Sequence, residues 1–386
     1  MRKYLICLIA MLPLLSLSAQ VISFDLPQYM TPLYDSYSQN YMNTVANGRG
    51  NTGAADNGGI GQILINPAGF TIDQGSLDIE MSIKPPTKEL DRALGKRYSS
   101  PVPFGLIGIS QKLSDKLMGA IVYSMPKSVT YDDYSIVMNQ GVYLLQRFPT
   151  YNLHQFTAAL AYHIQDFSVG LNLHNQIHYL DDITYFRTFD RVSEIKYSFR
   201  PQLGVNYNAS RLSVGATFMP EQALEIDSPY KYYDSVQPMK VTGGIKLNVG
   251  ERNFLIDADY EQFSAINSAY ADRLILKAGY ELLSGDSVYR LGFLSVPEVY
   301  HGAYVMDANT TTTADTSLVW LNVPNSGVIR SHDQRFVTIG YSKKFKVGSV
   351  NLSFMQDVVG YAPVSQINLA VDLYLSTFKA KDIIKP

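Results

Sequence analysis

Two histidines four residues apart, His174 and His178, a serine upstream of them, Ser168, and the stretch Gly48-Arg49-Gly50-Asn51-Thr52-Gly53 match patterns that elsewhere bind metals, cleave bonds or hold nucleotides. In an extended strand, positions four apart share a face but stand roughly 13 Å apart. That is too far for one ion to take both rings without other donors. The bland alternative is polar lining of an enclosed interior. Ser168 and His174 share a face by parity, the minimum a hydrolase needs. No nucleophile elbow, zinc spacing or phosphate loop accompanies them, so neither an enzyme nor a cofactor is expected. The glycine stretch fits GxGxxG formally, yet no strand precedes it and no βαβ unit surrounds it, so it is not read as a dinucleotide site.

A second set of candidates is charged. Arg200, Lys240, Lys277 and Arg290 fall by parity on the same polar face as Asp257, Asp259, Glu261 and Glu281. A cation in a partly dehydrated channel is a natural partner for an organic carboxylate. Such charges equally pair with one another or hold a plug in place. The two readings stay open at this level.

Composition narrows the classes. A net charge of −2 lacks the basic excess that nucleic acid binding requires. The chain is 46% hydrophobic and carries 28 Tyr, a ring suited to the boundary between hydrocarbon and water. Arg2 and Lys3, the apolar run Tyr4 to Leu17, and Ser18-Ala19 have the form of an export signal cleaved near Ala19. The single cysteine, Cys7, lies inside it, which leaves no disulfide or thiolate downstream. Beyond Gln20 no apolar stretch reaches 18 residues, so membrane-spanning helices are excluded but spanning strands are not.

The elements that would position these residues follow from a period of two. Phe156, Ala158, Leu160, Tyr162 and Ile164 alternate with Thr157, Ala159, Ala161 and His163. After Gln165-Asp166 the pattern resumes, with Phe167, Val169, Leu171 and Leu173 set against Ser168, Gly170, Asn172 and His174. Similar windows lie near 76–82, 104–113, 116–125, 152–164, 167–180, 192–207, 211–219, 238–249, 252–262, 272–283, 287–297, 335–345, 348–357 and 366–377. Short turns alternate with long connections, among them 126–151, 181–191 and 298–334. An even count with turns short on one side and long on the other fits an outer-membrane barrel with both ends on the short-turn, periplasmic side. A soluble sandwich would alternate too, but its solvated face would carry Lys and Glu where this one often carries Gly, Ser and Asn. The apolar Ile136, Val137, Val142, Tyr143, Leu144 and Leu145, in the long connection 126–151, suggest a groove for a hydrophobic ligand or a loop folded back into the barrel.

Residues 46–70, ANGRGNTGAADNGGIGQILINPAGF, do not alternate and have few side chains able to build a core. Gly50, Gly53, Ala54, Ala55 and Asp56, followed by Asn66-Pro67-Ala68-Gly69-Phe70, resemble the Gly/Ala-rich hatch and NPAG element of the FadL-type outer-membrane transporters of long-chain fatty acids and other hydrophobic compounds. Leu117 to Pro126 is similar to that family's third strand and the proline after it. The resemblance implies an all-β, 14-stranded antiparallel transmembrane barrel (76–378), closed by an N-terminal hatch (20–75). An export signal (1–19) precedes the hatch and a periplasmic tail (379–386) follows the barrel. It further implies substrate capture at the outer loops and sideways passage beside the third strand. Asn66, Pro67, Ala68, Gly69 and Phe70 would form the turn that seats the hatch. The expected partners are outer-membrane lipid, a hydrophobic small molecule and the barrel-assembly machinery, with the chain acting as a monomer in the Gram-negative outer membrane. The rival readings are a FadL-like barrel serving a protein secretion system and a periplasmic β protein.

Overall fold

The computed structural model describes residues 38–85, 105–130, 133–138, 142–186, 188–224, 235–266, 270–299, 319–321, 333–359 and 363–377. The export signal at 1–19, the hatch residues before 38 and the tail at 379–386 lie outside them.

Fourteen strands form a closed antiparallel barrel in simple meander order: β1 (Ser76–Ile83), β2 (Leu106–Lys112), β3 (Leu117–Thr130), β4 (Val142–Ile164), β5 (Phe167–Phe186), β6 (Thr188–Asn208), β7 (Leu212–Met219), β8 (Lys240–Val249), β9 (Arg252–Glu261), β10 (Arg273–Ser284), β11 (Ser287–Val296), β12 (Gln334–Phe345), β13 (Gly348–Asp357) and β14 (Ser365–Tyr374). Closure comes from β1 against β14, with Ser76 opposite Tyr374 and Ile83 opposite Ile367. Closing the sheet removes every edge, so the backbone is satisfied without water, as hydrocarbon demands. No helix among the described residues is long and apolar enough to cross a membrane.

Alternation is realised as inside and outside. Ile195, Phe199, Leu203 and Val205 of β6 are exposed on the outer face, whereas Gln202 and Asn206, on the opposite face, are buried. The same inversion of the soluble rule runs round the barrel, with Thr157, Asn172, His174, Thr338 and Asn368 buried inside. Outward Tyr289 and Tyr341, opposite each other in register with ring centroids 5.3 Å apart, lie near the short-turn rim. That is where an aromatic girdle belongs.

The structure corrects the expected loops at 126–151 and 181–191, which are largely strand. β3 runs to Thr130, β4 begins at Val142, and β5 and β6 meet at 187. About 10 residues cross a bilayer, so these strands of 20 to 23 residues project well past it. Residues 133–138 add to β4, and 319–321 add to 133–138. The alternation vanishes here because a sheet wetted on both faces needs no apolar side. Side chains at 131–149 and 319–321 lie outside the described residues, and with them the groove expected in that connection.

Candidate functional site

Residues 38–75 run inside the barrel against its wall. Their backbone touches the strands at glycines that pair across neighbouring strands: Gly170 opposite Gly204, Gly215 opposite Gly244, Gly279 opposite Gly292. A methyl group on Gly215 would stand 1.9 Å from the Ala54 carbonyl oxygen, and one on Gly292 would stand 2.0 Å from the Gly50 nitrogen. A Cβ would forbid this approach, so a strand rich in inward glycine serves as a seat rather than a weakness. Gly50 itself has φ +74°, a left-handed turn that brings its N–H to the Thr338 hydroxyl at 2.8 Å. The stretch 48–53 is thus a wall contact, not a phosphate loop.

Asn66 to Phe70 form a 3₁₀ turn over Pro67–Gly69. The Asn66 amide oxygen accepts from the Ala68 N–H at 3.0 Å while its nitrogen donates to the Ala54 and Val205 carbonyls, at 2.6 and 3.1 Å. Pro67 packs on Gly170 and Gly204. Ser168 donates to the Ala68 carbonyl at 2.7 Å, and His163 meets the Phe70 carbonyl at 2.9 Å. Phe70 is fully buried with Ile60, Ile63, Leu106 and Val122 in an apolar cluster between the segment and the wall. One side chain, Asn66, therefore ties together the turn, residues 53–56 and β6.

Charge fixes the opposite side. Arg49, nearly devoid of solvent contact, bridges Asp56 at 2.5 Å and Glu281 at 2.8 Å; Glu281 also takes Arg290 at 2.8 Å, and Lys246 reaches Asp56 at 2.6 Å. Asp257 accepts the Gly53 and Ala54 N–H groups at 2.6 and 2.9 Å. Burial acts to raise the Asp56 carboxyl, but Arg49 and Lys246 outweigh it and hold the group below the usual carboxylate range. A depressed folded pKa gives stability that is complete above the unfolded value of about 3.9 and is lost as pH falls through the folded one. The contact of Asp56 with Arg49 and Lys246 is therefore expected to be unchanged from pH 8 to 5 and to loosen only below about pH 4. Cleavage of residues 46–56 by proteinase K from pH 8 to 5, and by pepsin below pH 4, checks that; loosening already at pH 6 would contradict it.

Above this floor, on the side of the long connections, lies a cavity of about 260 Å³. Leu64, Ile65 and Met42 form its base, Tyr151, Leu153, Met219 and Phe263 give it apolar flanks, and Arg200, Gln202 and His178 are among its polar groups. The four candidate cations separate here. Lys240 pairs with Asp259 at 2.8 Å and Glu261 at 3.2 Å, Lys277 with Asp259 at 2.8 Å, and Arg290 with Glu281. Arg200 pairs with no carboxylate among the described residues. It donates to the Pro220 carbonyl at 3.1 Å, to the Pro238 carbonyl and, at 3.4 Å, to Gln237.

The two candidate histidines are satisfied by neutral groups. His174 meets Thr157 at 2.8 Å and Gln202 at 3.2 Å; His178 meets Tyr151 and Ser198, both at 2.8 Å. Ser168 is engaged with Ala68, so the structure does not bring it to His174. Arg49 shows in the sequence only as a lone guanidinium in a run of Gly and Ala.

One further irregularity borders the cavity. Between Ser124, opposite Gln155, and Lys127, opposite Leu153, β3 carries Met125 and Pro126 against the single residue His154. Pro126 cannot donate to a ladder, so a bulge forms there. Asn40 covers it from within, its N–H donating to the Pro126 carbonyl at 2.8 Å and its side chain to the Met125 carbonyl at 2.9 Å. On the outer side Tyr123 and His154 join at 2.9 Å.

No family model matches the chain, and no curated protein matches it in sequence. Solved structures do match in fold. A Pseudomonas aeruginosa FadL homologue aligns at 12% identity over 86% of this chain and 98% of its own, with a TM-score of 0.60. The Pseudomonas putida toluene transporter TodX aligns at 12% over 89% and 99%, TM-score 0.58. The Ralstonia pickettii toluene transporter TbuX aligns at 12% over 86% and 97%, TM-score 0.57. The chain has the fold of the FadL-type barrels.

Proposed function

We propose that this chain carries hydrophobic compounds with a polar or anionic end, long-chain fatty acids foremost, across the outer membrane without energy input. Residues 20–75 act as the hatch, with Asn66 to Phe70 its seating turn. The fold shared with a FadL homologue and two toluene transporters supports the hydrophobic class. The observation that carries the rest is Arg200, set in a cavity with apolar flanks and in ion-pair contact with no carboxylate among the described residues, while Lys240, Lys277 and Arg290 are already paired with the carboxylates Asp259, Glu261 and Glu281. A guanidinium satisfied only by carbonyls gains most from an incoming carboxylate, which it can grip with two parallel bonds. The cavity is at the small end for ligand pockets, enough for a head group and the first carbons, with the chain trailing toward the outer rim.

Release is sideways. Residues 48–69 sit on the glycine seats below the cavity, and the bulge at Met125-Pro126 breaks the strand ladder at cavity level. Export by residues 1–19, insertion by the barrel-assembly machinery and function as a monomer complete the reading. Arg200→Gln is expected to weaken oleate binding by about tenfold or more, as loss of a charge-assisted pair implies, and to leave toluene uptake unchanged. Binding of radiolabelled oleate to purified protein, with uptake in a transporter-deficient host, measures both. Equal oleate affinity in the variant would remove Arg200 from substrate binding.

A further inference from the structure

On the far side of the N-terminal segment from Arg200, two carboxylates face each other across the strand pair that closes the barrel: Asp78 of β1 stands opposite Asp372 of β14. Glu80 lies two residues along the same face. Like charges directly opposite on adjacent strands repel, and no Lys or Arg forms an ion pair with any of the three among the described residues. Arg49 borders the same cavity but is held by Asp56 and Glu281. Glu80 is satisfied by dipoles, accepting the Asn43 and Thr44 N–H groups at 3.1 and 2.8 Å. Asp372 is partly so, accepting from Ser349 and, at 3.0 Å, from Asn351.

Asp78 is different. It is 95% buried, being 5% exposed, and its Oδ1 has no hydrogen-bond partner. The Thr44 hydroxyl, on the N-terminal segment across the gap, is likewise buried and without one. Both residues, with Glu80, Asn351 and Asp372, border a cavity of about 120 Å³, which reaches the exposed Asn57 and Gly59 near the short-turn rim. Orphaned buried oxygens are costly and rare in native proteins. Here two of them and a pair of facing carboxylates border one space with room for several waters.

We propose that this seam binds a calcium ion, held by Asp78 and Asp372 with the Thr44 hydroxyl and water, so that the cation ties the N-terminal segment to the closing strands. Every donor is a hard oxygen, which selects alkaline-earth over transition metals. No group of three His, Cys, Asp or Glu converges as a metal site among the described residues. The shell is thus completed by neutral oxygens and water, an irregular arrangement calcium accepts and magnesium resists.

The test uses full-length protein in detergent, stripped with EDTA and titrated with Ca²⁺ by calorimetry, alongside the temperature at which the barrel loses its compact gel mobility. One saturable site per chain is expected, with Ca²⁺ raising that temperature by several degrees. Asp78→Asn should weaken Ca²⁺ binding at least tenfold. It should also invert the order of stability: in EDTA the variant outlasts the wild type because the repulsion is gone, and in Ca²⁺ the wild type outlasts the variant. A merely structural aspartate would not produce that inversion. Thr44→Val gives a second reading from the other side of the seam should Asp78→Asn fail to assemble, with weaker Ca²⁺ binding expected. Absence of a saturable site, or affinity unchanged in the variants, overturns the proposal. So does stabilisation of the wild type by mild acid with no Ca²⁺ effect, which would mean that the two carboxyls share a proton instead.

Discussion

Gly292→Ala, a change of one methyl group, is expected to raise the single-channel conductance of the protein in planar bilayers and to expose Arg49 to trypsin. The new Cβ would lie 2.0 Å from the Gly50 nitrogen and 2.1 Å from the Arg49 carbonyl carbon, so backbone has to move and no rotamer change relieves the clash. Overpacking of this kind costs about 1–3 kcal/mol and more where neither side yields. The wall strand is locked on both flanks, with Gly292 opposite Gly279 on β10 and Thr338 on β12, so the N-terminal segment gives way instead. Its displacement also breaks the Gly50 bond to Thr338 and draws Arg49 from its carboxylates. Gly243→Ala is the matched control: that glycine faces outward with nothing within 4 Å, and its variant is expected to behave as the parent. Wild-type conductance and protease protection in Gly292→Ala would mean that the segment does not depend on the glycine seats.

Glu281→Gln is expected to cost about 3–5 kcal/mol, the range for removing one member of a buried ion pair, and to lower the heat-modifiable transition markedly. The glutamine keeps the shape and some hydrogen bonds, yet Arg49 and Arg290 lose their shared charge inside the barrel. Their side chains are 2% and 7% exposed, so water cannot take its place. Arg49 retains Asp56, but Arg290 is left with the Ser342 hydroxyl at 2.5 Å. The triple variant Arg49→Met, Glu281→Leu, Arg290→Met should recover most of the loss, because removing all three charges also removes their desolvation. A Glu281→Gln protein as heat-resistant as its parent would show that the network is not what holds the segment.

Both experiments address the same physical question, namely what keeps a segment with hardly any core of its own in place. Residues 46–59 are mostly Gly, Ala and Asn and bury little apolar surface. Their attachment rests on backbone contact at glycines, on Asp257 accepting two N–H groups, and on the Arg49 network. Only around Phe70, Ile60 and Ile63 does packing of apolar side chains take over. An arrangement held by directed polar contacts is strong while intact and fails when one partner is removed, since each buried group left behind is costly.

By itself the sequence determined the spanning strands, because a lipid bilayer imposes an apolar residue at every second position and that order is visible in one dimension. Phe156 to Ile164 and Leu203 to Tyr207 announce both a strand and its outward face. It also marked Asn66 to Phe70 as a compact turn, since Pro67 sets φ, Gly69 permits close backbone approach and the run resembles the hatch element. It did not determine how far β3 to β6 continue beyond the membrane, where both faces are wet and the alternation lapses. Nor did it determine which of Arg200, Lys240, Lys277 and Arg290 forms no ion pair with a carboxylate among the described residues. Parity places all four inside the barrel, but pairing depends on neighbours brought together by register across strands and by the N-terminal segment. The tertiary structure alone decided that Arg290 shares Glu281 with Arg49, 232 residues away from Glu281 in the chain. It likewise set Asp78 opposite Asp372, because barrel closure joins the first strand to the last and no local pattern records which residues then meet.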